Sequence, residues 1–128
     1  MAGYQPGVCN IGRDERRKRR VAGIAGFLGA AAYVAAVLWF GLPDRYVLGS
    51  FAFLFGGFVG VFQDYFRFCV AFGALARYDL SGSSDDAGSV TDADAVARDR
   101  KRAAQLLTYA AVSAAVLTAL AYAAVTAL

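Results

Sequence analysis

At 128 residues, 59% of them hydrophobic and 14% aromatic, with a mean hydropathy of +0.47, the chain is too apolar for an ordinary water-soluble domain of its size. Thirteen basic against ten acidic residues give a net charge of +3, and the absence of histidine removes the commonest metal ligand and general base. Three stretches without a charged side chain, 21–42, 46–63 and 103–128, occupy about half the sequence, which leaves too little for a separate soluble core and predicts one integral membrane domain over 1–128.

The N-terminal segment 1–20 is basic: Arg16, Arg17, Lys18, Arg19 and Arg20 run directly into the first apolar stretch. That stretch, 21–42, has 22 residues against the roughly 7 to 15 of a signal-peptide core. No small-residue cleavage site stands before polar sequence, so it reads as a first span that stays in the protein. Pro43 stops it, and Trp39 and Tyr46 flank a Pro43-Asp44-Arg45 turn as interfacial aromatics do. So short a turn sends a second span, 46–66, back antiparallel to the first.

Gln63, Asp64 and Arg67 gather where the second span ends. Side chains three or four apart face each other on a helix, so an Asp64–Arg67 ion pair at the membrane boundary is expected, with Arg67 reaching to the headgroups. A proton or ion path through Gln63 and Asp64 is the sharper alternative. Residues 68–76, including Cys69, are too few to cross again and are expected to extend the second helix or to bend at Gly73 onto the surface. The connection 67–102 contains a polar stretch, 79–90, with the composition of a flexible loop. Thr91 and Asp94 have the spacing of a capping box and predict a helix starting near Asp92. Arg98, Arg100, Lys101 and Arg102 then mark the entry to a third span, 103–128.

Twelve of the thirteen Lys and Arg residues fall on one side of the three spans, and only Arg45 lies in the short turn. By the positive-inside rule the N-terminus and the 67–102 connection are cytoplasmic and Leu128 is outside. The predicted fold is therefore an all-α membrane protein, three transmembrane helices in an antiparallel bundle in the cell membrane. Beside a span, the basic run is read as a topology signal and a contact for anionic headgroups rather than as a nucleic-acid site.

Within the spans, Ala22, Gly26 and Ala30, then Gly56 and Gly60, then Ala111, Ala115, Ala119 and Ala123 repeat small residues four apart, a pattern that lets helices approach closely. Phe51, Phe53, Phe55, Phe58 and Phe62 make the second span bulky, and such rings can fill the grooves that small residues leave on a neighbour. The sequence has no P-loop, no dinucleotide fingerprint, no Ser-His-acid set and no pair of intramembrane carboxylates, and neither cofactor nor metal is expected. Cys9 and Cys69 lack a CxxC spacing and fall on the same, reducing face, so no structural disulfide is expected; a redox or metal-binding thiol pair stays an alternative.

Gly7-Val8-Cys9-Asn10-Ile11-Gly12 ahead of a basic first helix, Phe68-Cys69-Val70-Ala71-Phe72-Gly73 after the second span, and a charged lead into the third resemble a family of small, uncharacterised three-span prokaryotic membrane proteins over most of the chain. The resemblance implies no activity. It does imply that Cys9, Asn10 and Gly12 act together with Cys69, docking the N-terminal segment beneath the end of the second helix. Eleven Arg to two Lys and nine Asp to one Glu resemble the usage of halophilic archaea, where basic side chains would work by close contact with lipid phosphates. The function expected is structural or assembly work through the cytoplasmic face, with a second copy or a larger membrane protein as partner. The alternatives are a small oligomeric transporter or channel and a thiol protein.

Overall fold

A computed structural model describes residues 3–83 and 86–128. Helix α1 spans Arg13–Trp39, and a 3-10 helix, Asp44–Gly49, runs straight into α2, Ser50–Phe66. A five-residue helix α3, Val70–Ala74, and a two-stranded antiparallel hairpin of β1, Arg77–Asp79, and β2, Ala87–Ser89, lead to the 34-residue α4, Ala93–Thr126. Arg13–Trp39, Asp44–Phe66 and Ala93–Thr126 are each long and apolar enough to cross a membrane.

Both outer helices begin well before their apolar runs, because the charged residues ahead of each run are also good helix formers. Asp92 caps α4, its carboxylate accepting from the Ala95 N–H at 3.0 Å, so the cap is one residue after the expected Thr91. The stretch expected to be flexible is ordered where it is described: 77–79 pair with 87–89, and Ser84 and Asp85 lie outside the described residues.

Helix α2 is central, packing on α1 along one side and on α4 along another. Three apolar layers fill the bundle: Val37, Val47 and Val125 at one end, Ala30, Leu54 and Ala114 in the middle, and Phe68, Ala103 and Leu106 at the other. The α1–α2 crossing is set by glycine. A Cβ on Gly60 would stand 2.6 Å from the Gly23 Cα and from the Arg19 carbonyl, and one on Gly26 would stand 2.7 Å from the Gly57 N. The expected small pair on α2 is thus displaced in one member: Gly60 meets α1, but Gly57 rather than Gly56 joins it there, Gly56 facing open space. Aromatic rings do fill the gaps, Phe53 lying over Gly29 and Phe27 over Gly57.

The expected alanine ladder on the third span is displaced in the same way. Ala115, Ala119 and Ala123 are exposed, and the buried stripe is Asp99, Ala103, Leu106, Ala110, Ala114 and Thr118. Alanine alone does not choose between these faces. Asp99 and Leu106 do, since one is held at the charged end by hydrogen bonds and the other packs with Phe68, and together they set the rotation of the helix.

Candidate functional site at the charged end

The second helix stops where the polar cluster begins. Arg67 takes a left-handed conformation, φ 57° and ψ 40°, and its N–H and that of Phe68 bond back to the carbonyls of Asp64 and Gln63 at 3.2 and 3.0 Å. This is a Schellman ending, usually made by glycine. Residues 68–76 therefore neither extend the second helix nor wait until Gly73 to bend: the turn comes six residues earlier, and Phe68 and Cys69 are driven into the core at 0% and 1% exposure.

Asn10, fully buried, closes the break. Its Oδ1 accepts from the Cys69 N–H at 2.6 Å, its Nδ2 donates to the Cys69 carbonyl at 3.1 Å, and its own N–H donates to the Arg67 carbonyl. Gln63 does a similar service from within α2, its Oε1 accepting from the Val70 N–H at 2.8 Å. The N-terminal segment continues beside the hairpin as a one-residue parallel bridge, Ile11 with Asp79, in which Asp79 donates to the Asn10 carbonyl and Gly12 to that of Asp79. Gly12 lies so close to the Leu80 carbonyl that a Cβ has no room. Loop residues then cap α1: the Ser81 carbonyl accepts from Asp14 N–H and the Ser83 hydroxyl from Arg13 N–H. The N–H and hydroxyl of Ser81 also hold the Asp79 carboxyl below the usual carboxylate range.

The expected Asp64–Arg67 pair does not form, because the chain leaves the helix at Arg67 and the three-residue spacing no longer puts the side chains together. Asp64 instead takes Arg16 at 3.1 Å and Arg20 at 3.5 Å from α1, and the Arg16 Nε also reaches the Asp64 carbonyl. Glu15 pairs with Lys18 and Arg19 along α1, while Arg19 lies over the Phe72 ring and donates to the Cys69 sulfur at 3.2 Å. Arg17 is exposed and has no partner among the described residues. On α4, Arg98 and Arg100 reach the carbonyls of Asp94 and Ala74, and Lys101 is exposed.

Asp99, between the exposed Arg98 and Arg100 ahead of the apolar run of α4, is 0% exposed. It accepts from the Tyr4 hydroxyl at 2.6 Å and from the Gly7 N–H at 2.7 Å, binding the start of the chain to the last helix. Burial and the Asp99 carboxylate both push the Tyr4 phenol well above its ordinary value of 10.0. The signal was present in the sequence: Asp99 stands four and seven residues before Ala103 and Leu106, in phase with a helical apolar stripe.

Cys9 and Cys69 are free thiols, both buried, with the Cys9 Sγ donating to the Ile11 carbonyl at 3.6 Å. No three metal-ligating side chains cluster among the described residues. What the charged end does present is cationic recesses. One, of about 470 Å³, is lined by Arg13, Arg16, Arg17, Arg20 and Asp64; another of similar volume by Val8, Arg16, Tyr65, Phe66, Arg67 and Arg102. Comparison with protein-family models, with curated proteins and with solved structures finds no match.

Proposed function

We infer that the chain is a structural or assembly component of the cell membrane, multi-pass, with its charged end in the cytoplasm. The observation that carries this reading is the use to which the polar residues of that end are put. Asn10, Gln63 and Asp99 are spent on backbone groups, on Tyr4 and on the N-terminal segment, and Asp64 on two arginines of α1. Such a set builds a rigid cap over thinly covered spans. Only 17% of the most apolar window of α1 and 22% of that of α4 is buried within the chain, which leaves long apolar faces for lipid or for the helices of a partner. The basic residues flanking the spans support the orientation, since Arg45 alone stands at the opposite end.

The test is purification of the tagged chain from membranes in mild detergent, with crosslinking before solubilisation. A second copy or a larger membrane protein in fixed ratio to the chain is expected. A monodisperse single-chain particle, with no protein crosslinked to it, overturns the reading.

A further inference from the structure

The recess shared by Arg16, Arg67 and Arg102 is lined by arginines from three parts of the fold, α1, the end of α2 and the first half of α4; no acid lines it among the described residues, and of the three only Arg16 has a carboxylate partner, Asp64 at 3.1 Å. Like charges drawn together by tertiary structure repel unless an anion sits among them. Two details make the convergence costly to hold. Arg67 occupies a left-handed position where glycine would be free of strain, and its side chain has no partner among the described residues. Arg102 is fixed by the Gln105 side-chain Oε1 at 3.2 Å and by the Phe66 ring at 4.7 Å, yet its Nε is buried without a hydrogen-bond acceptor.

We propose that this recess binds the phosphate of an anionic phospholipid headgroup. Guanidinium forks match phosphate oxygens in pairs, and three of them complement a headgroup whose charge is not cancelled by a choline or ethanolamine. A lipid is favoured over soluble phosphate by the rest of the lining. Val8, Tyr65 and Phe66 give the recess an apolar wall, and Phe66 passes on to Tyr109, 6.3 Å away between ring centres, along the membrane-crossing part of α4. The recess lies at the boundary between charge and hydrocarbon: Arg102 is the last charge before the third apolar run, and Arg67 closely follows the second. The proposal rests on the reading as a membrane protein but not on any protein partner, so the pull-down and the experiment below fail independently.

The full chain is purified in zwitterionic phosphatidylcholine nanodiscs, and its thermal midpoint and retained lipids are measured with and without phosphatidylglycerol at a few mole per cent. Phosphatidylglycerol is expected to raise the midpoint and to be retained on the ejected protein in native mass spectrometry. Arg67→Gly separates binding from folding: without anionic lipid it keeps or raises the midpoint, because the left-handed strain is relieved. It should nonetheless bind phosphatidylglycerol about tenfold more weakly, the loss of one charge-assisted hydrogen-bonding group. Arg67→Gln should lose binding to the same degree, and Arg77→Gln, on β1, should keep it. Binding unchanged in both Arg67 variants, or lost equally in Arg77→Gln, overturns the proposal. A midpoint shift given equally by millimolar inorganic phosphate in phosphatidylcholine alone would assign the site to soluble phosphate and overturn its lipid part.

Discussion

Asn10 acts as a splice between two chain segments that have both run out of regular hydrogen bonds, the end of α2 and the N-terminal strand. Its removal leaves the Cys69 N–H without a partner at a site closed to water and takes one of two donors from the Cys69 carbonyl, which keeps the Gly73 N–H at 2.9 Å. One buried orphaned group costs ~1–3 kcal/mol and a lost hydrogen bond ~1 kcal/mol more, so Asn10→Ala should lose about 2–4 kcal/mol, read as a lower thermal midpoint in detergent. Asn10→Asp, which keeps the acceptor but buries a charge and loses the donor, should lose more. Tyr4 gives a pH signature. Because its folded pKa is raised, the proton is held more tightly in the folded chain, so its contribution is complete below pH 10 and is lost as pH rises beyond that. Tyr4→Phe should be less stable at neutral pH and show a flatter alkaline limb in a pH series of melting curves. Asn10 and Cys69 meet by hydrogen bonds, yet neither composition nor spacing in the sequence joins two residues 59 positions apart. The Asp64–Arg67 pair fails because three-residue spacing brings side chains together only in a helix that runs through residue 67, and nothing local announces an arginine in a glycine's conformation.

Among the helices, the α1–α2 crossing is the contact least able to give way, since the atoms that face Gly60 are backbone rather than side chain. Gly60→Ala should therefore separate the pair and cost ~1–3 kcal/mol, whereas Gly56→Ala, which meets nothing within 4 Å, should be neutral or slightly stabilising. Thermal midpoints of the two variants, measured side by side, decide this; equal losses would mean that the crossing tolerates a methyl group. The existence of the three long helices follows directly from the uncharged runs, and their charged extensions from good helix formers. Which face each helix buries did not follow, because residues four apart are small on more than one face of α2 and α4. The choice is made by long-range anchors, Asp99 to Tyr4 and Leu106 to Phe68, and hydropathy does not record them. The β-hairpin was missed for a related reason: three-residue strands of Arg, Tyr, Asp and Ala, Gly, Ser have no alternating pattern, and the Ile11–Asp79 bridge beside β1 adds to their order.

Across the whole molecule, the layers are secured by different means, apolar side chains through the spans and buried hydrogen bonds at the charged end. Removing residues 1–9 should uncouple them. Hydrogen exchange in micelles is expected to lose protection at residues 67–80 and 93–100 while 106–125 stays protected; uniform loss would show that the cap and spans unfold as one unit. The Tyr4–Asp99 link also has a consequence in time. Tyr4 is made 95 positions before its acceptor, with two long helices and the hairpin in between. Until then the opening segment has nothing to close upon, and afterwards the third helix carries an unsheltered carboxylate until the opening segment returns. A copy interrupted before residue 99 cannot engage Tyr4, so the clasp separates copies that have reached α4 from those that have not.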